Sequence, residues 1–318
     1  MKLAPIILFV YNRPWHTEQT LRALMANELA VKSELYIYAD GPKPNATDEQ
    51  LQKIREVRQL IRQEQWCGKV HVVESEKNKG LANSVINGVS EIVNKYGRII
   101  VLEDDLKTSP TFLTYMNQAL EYYESFHSVY SISSDIPMKM PLIEEYNYDV
   151  FVSYRNFSYG WGTWKDRWNN VDWRMNTYSM IDTDKHIQSA FNRGGDDLYN
   201  MLQAQKNGTI DSWAVRFTLA HFINHAVSIM PTQTFVNHIG FDGSGIHCSG
   251  GINDMRPLNS KREYVFLPIL YEDTRWINAF YSTYYRGLLP LWKRIINRLY
   301  RKFVGRNFFV KQGKVFVK

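Results

Sequence analysis

The chain has only two cysteines in 318 residues, Cys67 and Cys248. They lie far apart, in no CxxC or Cys/His spacing, so neither a disulfide framework nor a structural zinc site is expected. A reducing cytoplasm is the expected compartment. No stretch reaches the eighteen or so uninterrupted apolar residues of a membrane span. The apolar run that ends at Val10 is followed by Tyr-Asn-Arg-Pro and reads as a buried first strand rather than a signal peptide. There is no internal repeat and no low-complexity linker. Acidic residues are missing altogether beyond Asp273, where eleven Lys/Arg follow. With a whole-chain net charge of +6, residues 1–273 therefore carry −5. An acidic body with a basic tail argues against a nucleic-acid binder and for an enzyme-like body with a surface-targeting tail. With 44% hydrophobic and 14% aromatic residues, the chain can bury a full core.

The first hundred residues alternate strand and helix patterns, which predicts a parallel sheet with crossover helices. Ala4–Tyr11 is an apolar run, and Pro14–Leu29 places Leu21, Leu24, Met25 and Leu29 on one helical face. Ser33–Ala39 reads as a second strand ending in the turn Asp40-Gly41-Pro42. Thr47 and Gln50 form a capping box for a helix to Gln65. Lys69–Glu74, Gly80–Lys95 and Arg98–Leu102 continue as strand, helix and strand. Their carboxyl ends fall at Tyr11-Asn12-Arg13, Asp40-Gly41, Glu74-Ser75 and Glu103-Asp104-Asp105, and in an open α/β sheet the ligand crevice lies along that edge. Ser109–Phe126 reads as a helix with Pro110 in its first turn. Helical stretches are expected around Asp184–Lys206 and Trp213–His225, with a five-glycine loop over Gly240–Asn253. Residues 1–135 and 136–270 are read as two halves of one globule, with 271–318 as a tail.

Three consecutive carboxylates, Glu103, Asp104 and Asp105, repel one another at a strand end and call for a compensating cation. Mg²⁺ or Mn²⁺ suits oxygen ligands and bridges substrate phosphates. The alternative is a solvated acidic turn. Trp161 and Trp164 in YGWGTW offer sugar-stacking faces or buried core aromatics. His238 and His247 stand nine apart in the glycine-rich segment, with a metal-ligand role open for His247.

The chain resembles the GT-A fold glycosyltransferases, and among them is similar to N-acetylglucosaminyltransferase I and related bacterial sugar transferases. VLEDDLKTSPTFLTYM resembles their metal motif. PIILFVYNRP with YIYADG resembles the nucleotide-binding start, and IDSWAVRF (210–217) the segment with the catalytic base, although Ile210 and Ser212 flank Asp211 where the relative has Trp and a second acid. The resemblance covers about residues 4–250. It implies a Rossmann-like, mostly parallel mixed sheet flanked by helices, and transfer of a hexose or N-acetylhexosamine from a UDP-sugar to a glycan or lipid-linked acceptor with inversion. It further implies Asp105 on Mn²⁺ or Mg²⁺, Asp104 on the ribose, Glu103 at the sugar or a metal-bound water, Arg13 at the diphosphate, Asp40 at the uracil and Asp211 as general base. Without it, Arg13 reads as a helix-start residue, Asp40 as a turn residue and Asp211 as a helix N-cap. A sugar-nucleotide nucleotidyltransferase and a non-enzymatic membrane-surface protein are the competing readings.

From Gly287 to Phe303 apolar residues follow helical spacing opposite Lys and Arg. This pattern predicts an amphipathic helix that docks on an anionic membrane surface, as peripheral association without a span; the alternative is a helix packed on the catalytic body with a solvated basic face.

Overall fold

The computed structural model describes residues 2–141, 143–243 and 254–284, together with Ile296. The apolar run forms β1 (Ile6–Val10), buried along its whole length. Pro14, with its preset φ, then opens α1 (Pro14–Met25). β2 (Glu34–Ala39) is followed by α2 (Asp48–Leu60), where the Thr47–Gln50 capping box forms with both of its hydrogen bonds. β3 (Lys69–Glu74), α3 (Leu81–Tyr96) and β4 (Arg98–Glu103) complete the first half. The remaining elements are β5 (Leu106–Thr108), α4 (Phe112–Tyr122), β6 (Val129–Ser133), β7 (Val150–Ser153), β8 (Trp161–Trp164), α5 (Lys165–Asn169), α6 (Tyr178–Asp182), α7 (Lys185–Phe191), α8 (Leu198–Lys206), α9 (Trp213–Ile223), β9 (Val227–Pro231), β10 (Val236–His238) and α10 (Thr274–Tyr284).

Eight strands form one sheet in the order β3-β2-β1-β4-β8-β6-β9-β7. The pairs β3/β2, β2/β1, β1/β4 and β6/β9 are parallel, while β8 runs against β4 and β6, and β7 against β9. Six strands therefore point their carboxyl ends to one edge, and the sheet is continuous across residue 135. One face buries Leu21 and Leu24 of α1, Val57 of α2 and Tyr115 and Met116 of α4. The other buries Val85, Val89 and Ile92 of α3 and Phe217 of α9. This is the mixed, mostly parallel sheet with flanking helices that the resemblance implied; the strand pattern alone had pointed to a parallel sheet, and the antiparallel pairs involve β8 and β7. Among the described residues no helix is long and apolar enough to cross a membrane.

Several boundaries differ from the sequence reading, each for a local reason. α1 stops at Met25 instead of Leu29. Asn27 leaves the helix, donating through Nδ2 to Ala23 O and Thr108 Oγ1 (both 2.9 Å) and accepting from Leu113 N–H (3.0 Å). α2 stops at Leu60 because Trp66 turns into the core and donates to Ile61 O (3.1 Å). Pro110 stands outside α4: its carbonyl accepts from Glu28 N–H, and Ser109 N–H is tied to Phe235 O. The stretch around Asp184–Lys206 is two helices, broken at Gly195 with φ +140°. In α10, Trp276 stacks on Phe151 of β7 (centroids 4.4 Å, planes 10° apart) and Phe280 is buried, so this helix packs on the sheet. The amphipathic segment Gly287–Phe303 lies outside the described residues except for Ile296.

Candidate active site

The carboxyl edge of the sheet opens into a cavity of about 1240 Å³. Arg13, Asp40, Glu103, Asp104, Asp105 and Asp211 all line it, so the six residues singled out from sequence share one space. Five of them stand at or just past the ends of the parallel strands β1, β2 and β4. Asp211 comes from the segment before α9.

Asp104 and Asp105 are buried, and the cation that meets them is Arg13. Its guanidinium is hydrogen-bonded to Asp104 and lies 3.0 Å from Asp105 Oδ2. Burial lowers the guanidinium's affinity for its proton, but Asp104 and Asp105 outweigh burial and hold its pKa above the ordinary arginine value. Burial pushes Asp104 up despite Arg13. Glu103 is pushed up to about 8 by burial and by the charges of Asp105 and Asp104, so at neutral pH it is mainly a neutral acid that can donate a hydrogen bond.

His238, at the end of β10, closes the other side of Asp105. β10 pairs antiparallel with β5, placing His238 opposite Leu106. Gly240 N–H donates to His238 Nδ1 (3.2 Å), and His238 Nε2 lies 3.4 Å from Asp105 Oδ2. A side chain at Gly240 would collide with the Asp105 carboxylate. Among the described residues no group of three or more His, Cys, Asp and Glu side chains is arranged to hold a metal ion. Asp105 and His238 do supply an oxygen and a nitrogen donor side by side. Such a pair could contribute two ligands to a divalent ion, with the others supplied by water and a substrate phosphate. His247 lies outside the described residues.

Asp211 is more than half exposed and pairs with Arg216 (2.8 Å). The cap of α9 is Ser212, whose hydroxyl accepts from Val215 N–H (3.3 Å), so Asp211 is not the helix N-cap. Trp161 and Trp164 are 1% exposed. Trp161 stacks on Trp213 and Trp168, and Trp164 donates to Leu120 O, which makes both core residues rather than sugar platforms.

A second charged group in the cavity was not singled out from sequence. Asp135, just past β6, accepts from Arg256 (2.8 Å), which also bonds Asp254 (2.6 Å). Burial pushes Asp135 up to about 7 against the pull of Arg256. Arg155 pairs with Asp197 (2.7 Å) and lies 4.1 Å from the ring centre of Tyr284 of α10. Apart from Asp254 and Arg256, which are two positions apart, the paired residues are separated by 42 to 129 positions, and no local pattern joins them.

An open α/β sheet with an acidic cluster and a basic partner at the carboxyl edge is the GT-A arrangement that the motifs resemble. The model of glycosyl transferase family 2 matches residues 6–199, more than half of the chain, and the chain belongs to that family. No curated protein gives a sequence match. Among solved structures the chain is similar to residues 1–349 of S. aureus TarS, at 12% identity and TM-score 0.40 over 74% of this chain and 60% of that one. It therefore spans less than two thirds of that protein's length. A UDP-glucose pyrophosphorylase complexed with UDP-glucose matches at 11% identity and TM-score 0.36, over 72% of this chain and 90% of that one. Glucosyl-3-phosphoglycerate synthase from Mycobacterium tuberculosis, in complex with Mn²⁺, UDP-glucose and phosphoglyceric acid, matches at 10% identity and TM-score 0.32, over 52% and 57%.

Proposed function

We propose that the protein is a glycosyltransferase that moves a hexose or N-acetylhexosamine from a UDP-sugar to a glycan or lipid-linked acceptor, with inversion. The observation that carries this reading is the meeting of Arg13, Asp104, Asp105 and Asp211 in one cavity of a family 2 chain. Residues 1–135 would bind the donor and 136–270 the acceptor.

In this reading Arg13 turns from the carboxylates to the donor diphosphate, where its fixed fork of N–H groups pairs with phosphate oxygens. Asp105 and His238 would hold Mn²⁺ or Mg²⁺, which supplies positive charge to offset the charge on the leaving diphosphate. Asp104 accepts from the ribose hydroxyls, and Glu103 faces the sugar. Asp40 belongs to the nucleobase end. The acceptor hydroxyl oxygen attacks the anomeric carbon, the bond from that carbon to the diphosphate oxygen breaks, and its electron pair leaves with UDP. The hydroxyl proton goes to the carboxylate of Asp211, which pairs with Arg216 (2.8 Å).

The basic segment beyond Tyr284 would dock this body on an anionic membrane surface, at about 1 kcal/mol per cation near the lipid. Lipid-linked acceptors are met there, and the protein would work as a peripheral protein at the cytoplasmic face. The test is release of UDP from a panel of UDP-sugars with Mn²⁺ and a candidate acceptor. Sugar-dependent release supports the reading, and binding of UDP-sugars without turnover on any acceptor or water opposes it.

A further inference from the structure

Beside the ends of β1, β2 and β4, the cavity is lined by the turn after β7, by α8 and α9 and by the end of α10. α9 and α10 follow residue 199, where the family match stops. Ser153 ends β7 and shapes the turn: its hydroxyl accepts from Arg155 N–H and donates to Arg155 O (both 3.2 Å). The Arg155 guanidinium is then held from two sides. Asp197, just ahead of α8, pairs with it at 2.7 Å, and the ring centre of Tyr284, the last residue of α10, lies 4.1 Å away. Gly195 makes room for both, since a Cβ there would fall 2.8 Å from Arg155 Nη1 and 3.1 Å from Tyr284 Cβ.

The chain is thereby fixed where Asn156 joins the cavity wall, at 4% exposure. Asn156 Oδ1 accepts from the hydroxyl of Thr218 on α9, whereas Nδ2 is buried without a hydrogen-bond partner. Turning the amide over would leave the oxygen unpaired instead, so one polar atom lacks a partner in either orientation. Buried polar groups are nearly always paired, and an exception at a cavity wall is explained when a bound molecule supplies the partner. The nearby charges are engaged with one another: Arg155 with Asp197, Arg216 with Asp211 and Arg256 with Asp254. Lys139 is exposed to screening water. Leu198, Met201 and Val215 add apolar surface. Such a wall suits an uncharged ligand that presents an oxygen to an amide.

We propose that Asn156 determines acceptor specificity, its side-chain amide hydrogen-bonding an oxygen of a neutral saccharide unit. The inference deepens the glycosyl-transfer reading above and rests on it for the reaction.

The test compares full-length wild type, Thr218→Val, and Thr218→Val combined with Asn156→Leu, which removes both polar partners without leaving either one unpaired. The probes are the methyl glycosides of glucose, galactose and N-acetylglucosamine, with methyl glucuronide and methyl galacturonide as the anionic counterparts. Each is titrated in the presence of UDP and read from the asparagine side-chain amide signals by NMR. The Asn156 signal is the one that Thr218→Val moves and the double variant lacks. A neutral glycoside should shift that signal in wild type and bind about 10-fold more weakly to the double variant than to Thr218→Val, the loss expected for one hydrogen bond. Acceptor KM should rise by the same factor between these two variants, with kcat within about twofold and UDP affinity level. A uronide should bind less tightly than its matching hexoside. The proposal is overturned by a glycoside that wild type glycosylates without moving the Asn156 signal, by equal acceptor KM in the two variants, or by a uronide that binds as tightly as its hexoside. Should the double variant fail to fold, wild type and Thr218→Val still identify the signal and its response. If wild type transfers sugar to no acceptor, the glycosyl-transfer reading fails by itself. A glycoside-induced shift at Asn156 then still supports the contact, and no shift across the whole panel overturns it.

Discussion

Arg13→Met keeps the apolar stem of the side chain and removes the guanidinium from between Asp104 and Asp105. Those carboxylates are 5% and 6% exposed, so they retain little water to replace it. Breaking a buried ion pair by removing one partner costs about 3–5 kcal/mol. A carboxylate can escape part of that by taking up a proton. At pH 7 this route spans about three pKa units from the ordinary aspartate value, at about 1.4 kcal/mol each, which caps the cost for one carboxylate near 4 kcal/mol. Burial already raises Asp104 in the wild type, so part of that cost precedes the substitution, and the expected loss is about 1–4 kcal/mol at pH 7, of a total stability on the order of 5–15 kcal/mol. The pH dependence has a definite sign. In the variant the folded-state pKa of Asp104 rises further above its unfolded value, so the folded state keeps a proton that the unfolded state releases. Stability relative to wild type should then fall as pH rises from about 4 towards 7, and the two proteins should converge below about pH 4. Urea denaturation at several pH values in EDTA measures this. A loss that does not change with pH, or one below about 0.5 kcal/mol at pH 7, would refute the electrostatic account of the cluster.

Glu103→Gln should act in the opposite direction. The folded pKa of about 8 lies above that of a free glutamate, so holding Glu103 in place costs increasing stability as pH rises from about 4.5 to 8; the variant should gain about 2–4 kcal/mol in EDTA at pH 8 and little at pH 5, read from urea midpoints. Asp211→Asn should lower kcat by roughly 10² to 10⁴ with donor affinity nearly intact in calorimetry, and near-normal turnover would move the base to another cavity acid, such as Asp135. The full chain should float with anionic vesicles at low salt, whereas a chain ending at Tyr285 should remain in the soluble fraction and stay active on a soluble acceptor. Equal flotation of the two would remove the membrane role from the basic segment.

The parallel half of the fold was legible because most of its strands are short apolar runs bounded by turn residues. Lys69–Glu74 (KVHVVE), an edge strand with no fully buried residue, was read from its valines and its place between two helical patterns. The strand ends in turn placed Arg13, Asp40 and the Glu103–Asp105 cluster along one edge. What stayed hidden depends on contacts between distant segments. His238 reaches Asp105 only through pairing of β10 with β5, a ladder of three residues joining segments more than 120 positions apart. Asp135 and Arg256 are separated by 121 positions and carry no spacing signal. Trp161 and Trp164 occur in a motif that composition alone cannot divide between core and ligand; β8, inserted between β4 and β6, buries both. The early end of α1 follows from Asn27 bonding to Thr108 and Leu113, which helix propensity does not register.

The most direct test of the central claim is calorimetric titration of UDP into wild type and Asp105→Asn, each with Mn²⁺ and with EDTA. The account predicts that Mn²⁺ tightens UDP binding to wild type by at least about 10-fold, and that Asp105→Asn loses this gain together with sugar transfer while its fold persists. Equal UDP affinity with and without Mn²⁺ in wild type, or an Asp105→Asn protein that still transfers sugar, would contradict it.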